Sequence, residues 1–196
     1  MIKVGITGGI GSGKSTICKV FETLGIPVYN SDLESRVLSN IHPVIIKETK
    51  KLFGDHIYVN DVLDRKAVGE IVFADKSKLQ ALNSIIHPVV AGHFNEWLER
   101  HSGAPYIIKE TAVLFESGAD KNVDYIISVI APLELRVKRV VLRDDITEEE
   151  VLSRVNNQIK DEERVRLSND TVLCDDVELV IPQVLKIHHK LLNLYS

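Results

Sequence analysis

Cysteine is scarce in this sequence, and long hydrophobic runs are missing. The two cysteines, Cys18 and Cys174, lack a Cys-x-x-Cys spacing, which argues against a disulfide framework or a metal cluster and predicts buried, reduced thiols. No apolar run reaches the roughly 20 residues of a transmembrane helix, and the N-terminus shows no basic region followed by an apolar core and a cleavage site. We therefore expect a soluble, cytoplasmic protein with no membrane partner.

The sequence also lacks an excess of positive charge and a rich supply of aromatic residues. Lys and Arg number 24 against 28 Asp and Glu, a formal net charge of -4, so no overall basic field favours nucleic acid as a partner. Aromatic residues make up 6% of the chain and are scattered, which argues against a surface that stacks single-stranded bases. Hydrophobic residues, at 44% of 196 residues, predict one substantial folded core rather than disorder.

What the sequence does contain is a phosphate-binding loop near its N-terminus. Gly8 is followed after four residues by Gly13-Lys14-Ser15, the G-x-x-x-x-G-K-[ST] spacing in which backbone N–H groups surround phosphates. An apolar strand precedes the motif and an amphipathic helix follows it. In this interpretation Lys14 bridges the β- and γ-phosphates and the Ser15 hydroxyl is a Mg²⁺ ligand. The predicted ATP-binding residues are Gly8, Gly9, Ile10, Gly11, Ser12, Gly13, Lys14, Ser15 and Thr16.

The rest of the chain alternates between strand and helix patterns. Residues 26–30 predict a second strand, which completes a right-handed βαβ unit. Strands are also predicted at 106–115, 124–132 and 170–174, and helices at 133–145 and 178–195. This order predicts an α/β fold: a P-loop NTPase-like, doubly wound, mostly parallel sheet flanked by helices.

We predict one domain, residues 1–196, built from three parts. The core comprises about 1–32, 103–138 and 168–196, and a mostly helical insertion at about 33–102 suggests a substrate lobe. An arginine-bearing segment at about 139–158 suggests a mobile lid. Ligands of such sheets bind at the carboxyl ends of the strands, where we expect the loop, Asp32 and Glu110 to converge.

Asp32 and Arg36 follow the predicted second strand, and each permits two interpretations. Asp32 could cap the next helix, or it could take or orient the proton of an acceptor hydroxyl. Arg36, one helical turn later, could anchor a substrate phosphate or form a surface ion pair. The spacing alone leaves both choices open.

Three further sets of candidate residues are equally ambiguous. Arg136, Arg139 and Arg143 form one basic helix face, which fits either a solvated surface or a lid that brings arginines onto the transferring phosphoryl group. Glu110 fits either a solvated strand-end acid or a carboxylate that holds Mg²⁺ through water. His87, which precedes a proline, fits either a structural histidine at a helix boundary or a substrate contact.

Taken together, these motifs resemble those of the dephospho-CoA kinases over nearly the whole chain. The matching segments, in the order of the family, are TGGIGSGKS (7–15), SDLESR (31–36), IIHP (85–88), LFE (114–116), RVVLRDD (139–145) and RVNNQ (154–158). The first motif is widely shared. Its double-glycine form, combined with D-x-x-x-R, the His-Pro pair and R-x-x-x-R-D, is specific to this family.

The resemblance implies phosphorylation of the ribose 3′-hydroxyl of dephospho-CoA with ATP and Mg²⁺, the last step of coenzyme A biosynthesis. It implies that Asp32 is the general base or orients the hydroxyl, and that Lys14, Arg139 and Arg143 stabilise phosphoryl charge. The acceptor-binding residues would be Asp32, Arg36 and His87, and the metal-binding residues Ser15 and Glu110.

Three positions depart from the family's pattern. Asn30 stands where the family commonly has Asp, Glu110 begins a segment where Asp-x-Pro is common, and Asp175-Asp176 stands where Asn-Gly is usual. Two other functions remain open: a kinase for a nucleoside, nucleotide or sugar, and a nucleotide-dependent interaction protein with slow hydrolysis. The sequence does not predict the oligomeric state.

Overall fold

The computed structural model describes residues 1–195 and divides into two units, which are described separately. The first contains Met1–Asn30 and the residues from His101 onward, and the second is Ser31–Arg100. The strands and helices, in chain order, are β1 (Ile2–Thr7), α1 (Lys14–Thr23), β2 (Val28–Asn30), α2 (Ser31–Ile41), α3 (Pro43–Phe53), β3 (Tyr58–Val59), β4 (Val62–Leu63), α4 (Arg65–Ala74), α5 (Lys76–Arg100), β5 (Tyr106–Glu110), β6 (Tyr125–Ile130), α6 (Leu133–Asp144), α7 (Glu148–Asn156), α8 (Asp161–Arg166), β7 (Asp170–Leu173) and α9 (Val180–Tyr195).

A five-stranded sheet forms the centre of the first unit. Its order is β2-β5-β1-β6-β7, and every neighbouring pair is parallel. The central strand β1 pairs with β5 on one side and β6 on the other, and its residues Val4 and Ile6 are fully buried. Such burial is typical of parallel sheets, whose crossover helices cover both faces. The predicted P-loop NTPase-like α/β fold is confirmed.

Helices α1 and α9 close the core of this unit. Helix α1 contributes Ile17 and Phe21, and α9 contributes Val184 and Leu191, all fully buried. Cys18 and Cys174 belong to the same hydrophobic cluster and are free thiols, as predicted. None of the helices among residues 1–195 is long and apolar enough to cross a membrane.

The second unit consists of four helices and one small hairpin. Strands β3 and β4 pair antiparallel across Asn60 and Asp61, both of which have positive φ (51° and 62°), as a tight hairpin turn requires. The sequence pattern predicts mostly helix in this region and gives no signal for the hairpin. Around it, a cluster that includes Phe53, Ile57 and Leu63 forms a small core.

Two details of the predicted elements are wrong. The strand predicted over 106–115 ends at Glu110, because the chain turns after Thr111 and buries Leu114 completely. His87 was considered a residue at a helix boundary, but α5 continues through Pro88, so His87 lies inside the helix. Apolar runs extend past a strand end whenever the following turn also packs on the core.

Candidate active site

The loop between β1 and α1 has the backbone conformation that its glycines predict. Gly11 and Gly13 have φ values of +78° and +97°, which only glycine adopts without strain. A Cβ on Gly8 would lie 2.3 Å from the carbonyl oxygen of Val129 in β6, so the loop packs directly on the sheet backbone. These contacts hold the loop in one shape at the carboxyl end of β1.

Lys14 is the first residue of α1, and its side chain turns back over the loop. Its Nζ donates hydrogen bonds to the carbonyl oxygens of Gly8 (2.8 Å) and Gly9 (3.3 Å). Ser15 and Thr16 occupy the next two positions of the helix and are exposed. A positive charge and a helix N-terminus therefore lie together, an arrangement that binds phosphate.

Ser15, Glu110 and Asn30 form a hydrogen-bonded chain beside the loop. The Ser15 hydroxyl donates to Glu110 Oε1 (2.8 Å), and Asn30 Nδ2 donates to Glu110 Oε2 (2.7 Å). Glu110 is only 4% exposed, so its interpretation as a solvated acid is wrong. Burial raises the pKa of the neighbouring Cys18 thiol, and the charge of Glu110 raises it further, so this thiol stays protonated.

The oxygen atoms of Ser15 and Glu110 suit a magnesium ion that keeps most of its bound water molecules. The Ser15 oxygen retains lone pairs because it uses its proton on Glu110, and the carboxylate can accept hydrogen bonds from metal-bound water. Among residues 1–195 no cluster of three or more His, Cys, Asp or Glu side chains could hold a metal ion. Mg²⁺ needs no such cage when phosphates supply the remaining oxygens.

The three arginines of α6 do not act as one exposed face. Arg136 is 4% exposed, so neither the solvated surface nor the lid describes it; its guanidinium donates to the Ile10 carbonyl oxygen (3.0 Å) and pairs with Asp161. Arg139 donates to the carbonyl oxygens of Gly11 (3.3 Å) and Cys174 (3.0 Å).

Arg143 lies farther along α6 and is largely exposed. Its Nε and Nη2 donate to the two carboxylate oxygens of Asp144 (2.7 and 2.9 Å), and this hydrogen bonding raises the pKa of Arg143. Arg139 and Arg143 therefore both belong to a continuous helix that ends at Asp144. The next helix, α7, starts at Glu148, and a capping box between Thr147 and Glu150 stabilises its N-terminus.

The departure at Asp175-Asp176 has a structural account. Asp176 has a φ of 66°, a conformation in which glycine is favoured, and its carboxylate pairs with Arg139. Asp175 accepts hydrogen bonds from the backbone N–H groups of Val177 and Glu178, which lower its pKa. The pair thus shapes the turn after β7 and fixes Arg139 beside the loop.

The remaining predicted residues lie in the second unit. Helix α2 begins at Ser31, so Asp32 occupies its first turn rather than the capping position, and its side chain is exposed. Arg36 and His87 are also exposed. The two ion pairs in the described part of this unit involve neither Arg36 nor Arg65. Burial lowers the pKa of Arg65, and the positive charge of Arg36 lowers it further.

Sequence reasoning assigned no role to Arg65 or Gln158. Arg65 follows Asp64, whose side chain caps α4, and nothing in that pattern indicates an electrostatic interaction with Arg36. Gln158 ends the RVNNQ motif (154–158), but its partners, the Ile10 N–H (2.8 Å) and the Ala112 carbonyl (3.3 Å), are distant in sequence. The residues close to Arg65 and Gln158 in sequence give no indication of these interactions.

Comparisons with known proteins agree with this geometry. A family model described as dephospho-CoA kinase matches residues 2–179. A dephospho-CoA kinase of Bacteroides fragilis is 40% identical over 95% of this chain and 91% of its own length. One of Porphyromonas gingivalis is 37% identical over 95% of this chain and 93% of its own length.

Solved structures give the same result for the fold. A crystal structure of a Thermus thermophilus protein matches with a TM-score of 0.86 and 32% identity, over 100% of this chain and 98% of that one. Dephospho-CoA kinase from Campylobacter jejuni matches with a TM-score of 0.71 and 22% identity, over 99% of this chain and 98% of that one. A shikimate kinase from Acinetobacter baumannii has a TM-score of 0.56 at 15% identity, covering 98% and 94%. The last two support the fold alone.

Proposed function

This chain belongs to the dephospho-CoA kinase family, and we propose on that basis that it transfers the γ-phosphoryl group of ATP to the ribose 3′-hydroxyl of dephospho-CoA. The products are coenzyme A and ADP. The observation that carries the proposal is a phosphate loop with Lys14 folded over it and Ser15 bonded to a buried Glu110, in a chain that matches the family from residue 2 to 179. The cytoplasm is the proposed location.

The donor half of the reaction uses the loop and the start of α1. Backbone N–H groups of the loop and of the first turn of α1 would bind the phosphates, and Lys14 would exchange its carbonyl partners for the β- and γ-phosphate oxygens. Arg139, fixed by Cys174 and Asp176, adds positive charge at the edge of the loop. Arg143 reaches the phosphoryl group only by releasing Asp144, which makes it the lid residue of this proposal.

Ser15 and Glu110 are the proposed magnesium-binding residues. Ser15 would hold the ion through its hydroxyl oxygen, and Glu110, which accepts the Ser15 proton, would orient this hydroxyl and accept hydrogen bonds from water on the ion. The chemistry that Mg²⁺ supplies when bound is neutralisation of charge on the phosphate oxygens. Asn30 holds the second oxygen of Glu110, so the carboxylate keeps one orientation.

The acceptor half uses the second unit. Asp32, two residues beyond the end of β2, takes or orients the proton of the 3′-hydroxyl. Arg36 and Arg65 are two cations of this unit whose charges repel each other, and both suit the phosphates of dephospho-CoA because a bound anion offsets that repulsion. His87 is the remaining proposed contact on this side.

One coupled assay tests the proposal against the two alternatives. ADP release is measured with dephospho-CoA, with nucleoside, nucleotide and sugar acceptors, and with no acceptor. We expect ADP release that depends on dephospho-CoA and produces coenzyme A in equal amount. Faster turnover with another acceptor supports a different small-molecule kinase, and ADP release that no acceptor changes supports a nucleotide-dependent interaction protein; either result contradicts the proposal.

Asp32→Asn tests the assignment of the base. The substitution keeps the size of the side chain but removes its ability to accept a proton, and such losses reduce rates by about 10²- to 10⁴-fold. ATP binding should be unchanged because Asp32 lies outside the loop. A variant that phosphorylates dephospho-CoA at a near-normal rate would show that Asp32 is not the base.

A further inference from the structure

Ile10 is the third residue of the phosphate loop. Its backbone N–H and its carbonyl oxygen both form hydrogen bonds with side chains that are distant in sequence. Its N–H donates to Gln158 Oε1 (2.8 Å), and its carbonyl oxygen accepts from Arg136 Nε (3.0 Å). These two polar groups of the loop therefore point away from the phosphate site. Their partners lie 148 and 126 residues away in sequence.

The loop depends on these partners because it has few side chains of its own. A Cβ on Gly9 would lie 2.1 Å from Arg136 Nη2, so the guanidinium fills the space beside that residue. A Cβ on Gly11 would lie 2.4 Å from the Arg136 carbonyl oxygen. Arg136 thus forms the outer wall of the loop with both its side chain and its backbone.

Gln158 and Arg136 are themselves held in place. Gln158 Nε2 donates to the carbonyl oxygen of Ala112 (3.3 Å), which follows β5. Arg136 Nη1 donates to Asp161 Oδ2 (2.5 Å), and Asp161 also pairs with the fully buried Arg164. A buried arginine with a fixed carboxylate partner has little freedom to move.

The segment between α7 and α8 carries much of this network. Besides Gln158, its Ile159 donates a backbone hydrogen bond to Glu116 (3.0 Å) and accepts one from Arg164 (3.0 Å), and Asp161 follows as the first residue of α8. The C-terminal end of the arginine-bearing segment is therefore attached to the wall of the phosphate loop.

We propose that Gln158 and Arg136 are positioning residues that clamp Ile10 and so hold the loop in its phosphate-binding shape. The inference rests on the proposed function for its kinetic consequence but not for its binding consequence. Without Gln158 the Ile10 N–H loses its partly buried acceptor, and the loop gains conformations in which its inner N–H groups no longer converge. ATP affinity falls, whereas dephospho-CoA affinity does not.

Two substitutions at Gln158 separate the parts of this contact. Gln158→Met keeps the length of the side chain but cannot accept the Ile10 N–H in a normal hydrogen bond, and Gln158→Glu can still accept it. Asn157→Ala is the matched control, because the Asn157 side chain is exposed and its one side-chain hydrogen bond within residues 1–195 goes to the Ser153 carbonyl oxygen of the preceding helix α7 (3.0 Å).

The readouts are equilibrium binding of a fluorescent ATP analogue, the KM values for both substrates, kcat at saturating ATP, and the melting temperature. We expect Gln158→Met to weaken nucleotide binding and raise the KM for ATP about tenfold, with kcat and the KM for dephospho-CoA within about twofold of wild type. Gln158→Glu should recover part of the loss, because it keeps the acceptor for the Ile10 N–H but loses the donor to the Ala112 carbonyl oxygen. Asn157→Ala should match the wild-type protein.

Two outcomes would overturn the clamp. Gln158→Met with unchanged nucleotide binding shows that the Ile10 contact has no effect on the loop. Equal losses for both substrates that follow a lower melting temperature, in both Gln158 variants, show a merely structural role. Nucleotide binding needs no acceptor, so a failure of the clamp stays distinguishable from a failure of the proposed reaction.

Discussion

Replacement of the buried Glu110 by glutamine should weaken the apparent affinity for Mg²⁺ without weakening nucleotide binding in the absence of metal. Ser15 donates to Glu110 across 2.8 Å, and Asn30 donates to the other oxygen across 2.7 Å. Glutamine has the same shape and can still accept from Ser15, provided that the Asn30 amide turns by 180° to accept from its new NH₂ group. The main change is the loss of one negative charge.

The size of the effect follows from the hydrogen bond and from the position of the carboxylate. A hydrogen bond to a charged acceptor contributes about 1.5–3 kcal/mol, against about 0.5–1.5 kcal/mol for a neutral one, a difference equivalent to roughly tenfold in affinity. Loss of a group that orients a metal ligand typically costs about 10- to 100-fold. We therefore expect the Mg²⁺ concentration at half-saturation to rise about 10- to 100-fold.

The assay titrates Mg²⁺ at a fixed concentration of a fluorescent ATP analogue and is repeated with a chelator. Glu163→Gln is the matched control, because its carboxylate is 52% exposed and lies 3.9 Å from Arg166. This control should leave the titration unchanged. A Glu110→Gln variant with the wild-type half-saturation would refute the metal assignment, and one that binds nucleotide more weakly in chelator would show a damaged loop instead.

Two further predictions concern the loop and the core. Gly8→Ala should cost about 1–3 kcal/mol of stability or more and abolish nucleotide binding, because its Cβ would lie 2.3 Å from the carbonyl oxygen of Val129 in the sheet. The control Gly92→Ala, whose Cβ would have no atom within 4 Å, should raise the melting temperature slightly. Equal effects of the two substitutions in calorimetry would contradict the close approach at Gly8. His188 Nδ1 and the buried Tyr106 hydroxyl share a hydrogen bond (2.6 Å), and burial, with the nearby His189, lowers the pKa of His188 below its ordinary value of 6.5. The stability that neutral His188 contributes is complete above pH 6.5 and is lost as the pH falls through the folded-state pKa. The wild-type melting temperature should therefore drop about 2–4 °C more between pH 7.5 and 5 than that of His188→Asn. Parallel pH profiles of the two proteins would exclude the titration of His188.

Local patterns predicted the strands, most helices and the phosphate loop, because each of these depends on residues adjacent in sequence. The glycines, Lys14 and Ser15 are one continuous motif, and Ile2–Thr7 and Lys14–Thr23 have clear periodicities. The hairpin at Asn60 and Asp61 was missed because its strands have two residues each, too few for a pattern.

The contacts around the loop could not be predicted, because they join distant segments. Helical spacing gave Arg136 the same face as Arg139, but burial and the carboxylate of Asp161 separate their roles. The pairing of Asn30 with Glu110, at 2.7 Å, likewise exists only once β2 and β5 are neighbours in the sheet. Spacing indicates which residues can share a face, and only the fold determines what covers that face.

The destination of the γ-phosphoryl group is the central claim, and a single-turnover experiment measures it directly. The protein, in excess over γ-labelled ATP, is mixed with dephospho-CoA and Mg²⁺, and the phosphorus-containing products are identified by NMR. We expect nearly all of the label to appear as a 3′-phosphomonoester on the ribose of coenzyme A. Asp32→Asn should reduce the rate of this transfer by about 10²-fold or more. Label recovered as inorganic phosphate, or at another position of the acceptor, would contradict it.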